Sequence, residues 1–116
     1  MEVINDNDHL LRRIPFRDPN FVKDDGTLSS AGFSIKKGED GLSVDIERLT
    51  TYDIAIQNRE RYRLYYLLAS DTTSLGLENI HDPQEDNYAH ALVKGKFTRG
   101  ISRTLAQAAR RIPFPD

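Results

Sequence analysis

The densest run of reactive side chains is HDPQEDNYAH, residues 81–90, which holds His81, Asp82, Glu85, Asp86 and His90. Imidazole and carboxylate together suit zinc, iron or manganese. The spacing matches no metal-binding motif, and Pro83 blocks a helix that would align the two histidines. No metal site is assigned, because Asp-Pro and Asp-Asn are turn formers whose acids are normally solvated. Whether His81, Asp82, Asp86 and His90 converge is left open by the sequence. His90 differs from the rest. It falls within YAHALVKG, where Ala89 and Ala91 face one way and Tyr88, His90 and Leu92 the other. An imidazole that titrates near neutral pH is the best general base the chain owns. Glu47 is the second choice, and Arg12 is the cationic group expected beside them.

Other chemistries lack their signatures. The chain has no Cys, which excludes disulfides, thiolate catalysis and thiolate zinc sites. Ser29 and Ser30 lie in TLSSAGF, outside any G-x-S-x-G elbow. KKGEDG, residues 36–41, places acids where a phosphate would sit and lacks G-x-x-x-x-G-K. No zinc-finger or RNA-recognition signature is present. No cofactor is assigned.

These groups must be positioned by a small domain. The chain has 116 residues, 38% apolar and 29% charged, enough for one modest core. Residues 1–8 read as a flexible polar lead and 9–116 as a single domain. Residues 9–14 read as a strand ended by Pro15. Residues 29–35 read as a strand that starts with small residues. LSVDIERL, residues 42–49, alternates Leu42, Val44 and Ile46 against Ser43, Asp45 and Glu47, a half-buried strand. Thr50 and Asp53 suggest a capped short helix over 51–60. YRLYYLLAS, residues 62–70, reads as a central strand with Leu64 and Leu68 buried. LGLENI and residues 88–95 supply two more strands. Ile101, Leu105, Ala108 and Ile112 fall at helical spacing, so residues 98–111 read as an amphipathic helix capped by Thr98 and stopped by Pro113. The expected fold class is α+β, a mostly antiparallel sheet of about five strands with a C-terminal helix.

Charge is unevenly spread. Residues 1–86 carry ten basic and seventeen acidic residues, whereas 87–116 carry six basic and one acidic. Lys94, Lys96, Arg99, Arg103, Arg110 and Arg111 form that basic segment, which points to a polyanion, an acidic partner or the acidic body of the same domain. A second feature is a repeated phrase: RRIPFRD at residues 12–18 and RRIPFPD at 110–116 agree at six of seven positions. In each, Pro fixes its own φ and forces the preceding Ile toward extended backbone, so that Ile and Phe project as paired apolar pegs.

One likeness bears on catalysis. LLRRI, SSAGFSI and LSVDIERL give an early Arg, a middle Ser and a later Glu. That order resembles the Arg–Ser–Glu scheme of ADP-ribosyltransferase-like proteins, which use NAD. The resemblance implies Arg12 or Arg13 near the NAD phosphates, Ser29 or Ser30 beside the ribose and Glu47 as catalytic acid. DGTLSSAGF and DPQEDNYAHALVKG also resemble short bacterial proteins, a likeness that brings no function with it.

The leading expectation is a cytoplasmic accessory or regulatory subunit that binds a protein partner or a second copy of itself. Its anchors would be the basic C-terminal element with Ile112 and Phe114. No apolar run approaches membrane-spanning length, and no membrane partner is expected. The alternative is a small enzyme acting on a nucleotide or NAD, recognisable by a concave pocket in which His90, an Arg and a carboxylate converge. A third reading is nucleic-acid binding through the basic segment.

Overall fold

A computed structural model describes residues 1–114. Six antiparallel strands form one open sheet: β1 (His9–Pro15), β2 (Leu42–Ile46), β3 (Tyr62–Leu68), β4 (Glu78–His81), β5 (His90–Lys94) and β6 (Arg110–Arg111). Their order across the sheet is β4-β5-β2-β1-β3-β6. Three helices complete an α+β fold: α1 (Tyr52–Ile56), α2 (Ala69–Thr73) and α3 (Arg99–Ala108). No helix among the described residues is long and apolar enough to cross a membrane.

Period-2 alternation gives the sheet two apolar faces. Leu10 and Ile14 of β1, Leu42, Val44 and Ile46 of β2, and Ala91 and Val93 of β5 build the main core with Phe33 and with Leu105 and Ala106 of α3. Leu11 and Leu64 project to the other face, where Ala55 and Ile56 of α1 cover them. Thr98 caps α3 by accepting from the Ile101 N–H at 3.1 Å.

Several elements depart from the sequence reading. Residues 29–35 are not a strand. Ser30–Phe33 form a 3-10 turn capped by Ser29, whose hydroxyl accepts from the Ala31 N–H. Gly32 packs so close to β1 that a Cβ there would meet Ile14 Cδ1 at 2.8 Å. The short helix is capped by Thr51 rather than Thr50 and stops at Ile56, where Gln57 takes φ 62°. Helix α3 ends at Ala108, short of residue 111. Ala109 is extended, Arg110 and Arg111 pair with β3, and the Ile112 N–H donates to Leu64 O at 2.9 Å.

The aromatic strand β3 is not central. It lies between β1 and the two-residue β6, which leaves β2 and β1 as the middle pair. Leu64 and Leu67 are buried, while Leu68 is half-buried because it faces the same side as His9, its partner in register. The first eight residues are bonded to the body. The Glu2 N–H donates to His81 Nδ1, Arg48 donates to Glu2, Val3 and Asp8, and Ile4 packs on the main core.

Candidate functional site

The two middle strands carry Arg12, Arg13, Ser43 and Asp45, an unusual concentration of polar groups at the centre of a sheet. The ladder between β1 and β2 pairs Leu10 with Ile46 and Leu11 with Asp45, and then stops. Beyond Leu11 the strands part, and a cleft of about 800 Å3 opens there. One wall is Leu11, Arg12, Arg13 and Pro15 of β1, another is Ser43, Val44 and Asp45 of β2 with His90 behind them, and Asn58 with Glu60, Arg61 and Tyr62 closes a third side.

Arg12 fills the parting. Its Nε donates to Gly32 O at 2.8 Å and its Nη1 to Ser43 O at 2.9 Å, so a side chain takes the place of the missing ladder bonds. No carboxylate pairs with it among the described residues. Desolvation, then the neighbouring Arg13, pushes its affinity for the proton below the ordinary guanidinium range, with Glu39 pulling the other way. Part of its surface still lines the cleft. Arg13 differs: its Nη1 donates to Asp45 Oδ2 at 3.2 Å and to Ala55 O at 2.9 Å. Asp45 is only 3% exposed, and its other oxygen accepts from Asn87 Nδ2 at 2.8 Å.

His90 pairs in register with Asp45, and Ser43 with Leu92, so His90 and Ser43 are diagonal neighbours on one face. His90 Nε2 lies 3.2 Å from Ser43 Oγ. Its Nδ1 lies 3.0 Å from Asp82 O and 3.1 Å from Asp82 Oδ2. Ser43 and His90 both line the cleft. Such a chain can move a proton from a hydroxyl to an imidazole held in place by a carboxylate.

His81 is placed otherwise. It is 2% exposed, on the core face, accepting from the Glu2 N–H at 2.9 Å while its Nε2–H donates to Tyr88 O at 2.7 Å. The two histidines therefore project from opposite faces of the β4–β5 hairpin. Among the described residues no three His, Asp or Glu side chains are placed to hold a metal ion.

The structure brings His90 and Arg12 together, but not Glu47. Glu47 pairs with His9 at 3.1 Å, beside a separate hollow with Arg48. Ser29 and Ser30 lie outside the cleft, so the Arg–Ser–Glu arrangement implied by the NAD-using likeness is not assembled. The basic C-terminal residues also lie elsewhere. Arg99 and Arg103 border two smaller hollows against residues 23–35. Arg110 lies 3.9 Å from Asp71, Lys96 and Arg111 are exposed, and Lys94 is half-exposed at the end of β5. Ile112 and Phe114 are half-buried against Leu11, Ala55, Ile56 and Leu64.

Sequence reasoning missed Ser43 and the orienting role of Asp82, and it reached Arg13 only as an alternative to Arg12 in the NAD-using likeness. The alternation in LSVDI did put Ser43 and Asp45 on one face. What was lacking was the pairing of β2 with β5, which brings His90 to them. The chain matches no protein-family model, no curated protein and no solved structure.

Proposed function

We propose that the protein is a small enzyme that binds an anionic small molecule, carrying a phosphate or a carboxylate, in the cleft between β1 and β2, with His90 as general base. The observation that supports this most is the sign of the cleft. Arg12, Arg13, Arg17, Lys36 and Arg61 line it against Asp18, Asp45 and Glu60, in a chain of net charge −2. Asp45 is already taken by Arg13, while Arg17, Lys36 and Arg61 form no ion pair among the described residues. Low-dielectric walls focus such a field on a ligand. The volume suits a nucleotide-sized molecule, within the range of about 300–1,000 Å3 usual for small-ligand sites.

Titration calorimetry with inorganic pyrophosphate as probe tests the reading. Binding is expected, weakening as NaCl screens the cleft. Lys36→Gln with Arg61→Gln should weaken it roughly tenfold or more, since two charge contacts at up to ~1 kcal/mol each amount to that. Replacing Lys94, Lys96, Arg99 and Arg103 with Gln should leave it unchanged. Loss in that quadruple variant alone would move the anion site to the basic segment and favour nucleic-acid binding. No binding by the wild-type protein would sink the proposal.

A further inference from the structure

We propose that Ser43 is a nucleophile, with His90 as its base and Asp82 as the positioning residue, and that the cleft hydrolyses a carboxylic ester bearing an anionic group. This rests on the cleft being an anion site, as argued above.

The tautomer of His90 carries the argument. A carbonyl oxygen only accepts, so Nδ1, 3.0 Å from Asp82 O, holds the hydrogen. In the neutral ring the lone pair then sits on Nε2, 3.2 Å from Ser43 Oγ, and the Ser43 hydroxyl is the donor between them. His81, one strand away, shows the contrast. A backbone N–H donates to its Nδ1, its hydrogen sits on Nε2, and both positions are occupied by main chain. Only one histidine of the hairpin aims a free base at a hydroxyl, and that pair lines the cleft between β1 and β2.

The ester follows from the same geometry. Transfer of a phosphoryl group from a monoester runs through a loose transition state that gains little from a base. Acyl transfer puts its barrier into deprotonating the nucleophile and into the charge that grows on the carbonyl oxygen. His90 serves the first need. Arg12, whose Nη1 donates to the Ser43 main-chain oxygen and which pairs with no carboxylate among the described residues, is the cation of the cleft wall assigned to the second. Lys36 and Arg61, elsewhere on the cleft wall, are left for the anionic part of the substrate.

The atoms balance with water alone. Ser43 Oγ bonds to the ester carbonyl carbon as its proton passes to His90 Nε2. The tetrahedral adduct breaks its bond to the leaving oxygen, which takes the proton from His90 and departs as the alcohol. Water, deprotonated by His90, attacks the acyl-Ser43 carbonyl. The carboxylic acid leaves, and the proton returns to Ser43 Oγ.

The full chain is treated with a fluorophosphonate probe and mapped by mass spectrometry, and its turnover of p-nitrophenyl hemisuccinate is compared with that of p-nitrophenyl acetate. Labelling is expected at Ser43 and should vanish in Ser43→Ala, which removes one oxygen and retains the melting temperature. Turnover should prefer the anionic ester about tenfold, and His90→Gln should lower kcat ~10²–10⁴-fold. Asp82→Asn should lower kcat with KM unchanged, a split that mere loosening of the hairpin would not give. Absent labelling, labelling elsewhere, or undiminished turnover in Ser43→Ala overturns the proposal. Pyrophosphate binding by Ser43→Ala, in a protein whose wild type is not labelled, would leave the anion site standing while this inference fails.

Discussion

Phe16 and Phe114 meet at one cation: their ring centroids lie 3.8 and 4.2 Å from the Arg63 guanidinium. They are the same residue of the repeated phrase Arg-Arg-Ile-Pro-Phe, one near each end of the chain. The phrase recurs because both copies flank β3. The first runs out of β1 beside Tyr62, and the second pairs Arg110 and Arg111 with Tyr66 and Tyr65. The arginines differ in fate, bonded within the fold in the first copy and exposed in the second, and so do the isoleucines. Ile14 is 1% exposed in the main core, and Ile112 is half-buried on the second.

Deletion of residues 112–116 is therefore expected to destabilise the fold by about 2–3 kcal/mol, from two partly buried apolar side chains and the Arg63 contact. Thermal unfolding checks this. Arg63→Ala should cost about 1–2 kcal/mol by losing both rings at once. If the melting temperature holds while the particle shrinks in light scattering, the C-terminal Ile and Phe serve a partner instead.

Leu64→Ala should cost about 2–5 kcal/mol, and Leu67→Ala a similar amount, because both lie at 1% exposure or less. Leu68→Ala should cost clearly less. Urea titration of the three variants would show the order, and equal losses at Leu64 and Leu68 would contradict the register of β3.

That register shows where sequence reading ran out. The strands at 9–15, 42–46 and 62–68 were legible, because alternation and Pro15 mark them locally. The place of each strand in the sheet was not, since pairing is a long-range choice. Hydrophobicity pointed to β3 as central, yet β3 keeps three tyrosines half-exposed and lies next to a two-residue edge strand. The site was hidden for the same reason. Asp82 and His90 lie 39 and 47 residues from Ser43 along the chain, and only the pairing of β5 with both β2 and β4 joins them. The charge split misled as well. The cations of the cleft come from residues 12–61, inside the acidic part of the sequence.

The N-terminal arm should be held across a broad pH window and released in acid. Hydrogen bonds from Arg48 and Tyr88 hold the Glu2 carboxyl below its ordinary 4.5. Its stabilisation is complete above 4.5 and is lost as pH falls through the lowered value. The bond to Glu2 raises the Tyr88 phenol above its ordinary 10.0, so that contribution is complete below 10.0 and lost as pH rises through the raised value. Backbone NMR relaxation at Val3 and Asn5 should report a rigid arm at pH 7 and a mobile one once the pH has fallen below the lowered Glu2 value. Arg48→Ala should free the arm at both. An arm that stays equally rigid after the Glu2 carboxyl has been seen to protonate in the same titration would show that the Glu2 contacts do not hold it.

The Arg13–Asp45 pair should be far more sensitive to losing one member than to losing both. Asp45 is 3% exposed, and its two oxygens are taken by Arg13 and Asn87. Removing one partner of such a pair leaves an uncompensated buried charge, which typically costs about 3–5 kcal/mol. Arg13→Met is thus expected to destabilise by that order. Arg13→Met with Asp45→Asn keeps both volumes, retains an acceptor for Asn87 and removes the stranded carboxylate. The double variant should recover a large part of the loss, giving a coupling of about 1–3 kcal/mol in a double-mutant cycle by urea unfolding. Additive losses would mean that the carboxylate is well solvated once Arg13 is gone. The cleft floor would then be open to water at Asp45, and the positive field credited to Arg12 would be correspondingly weaker.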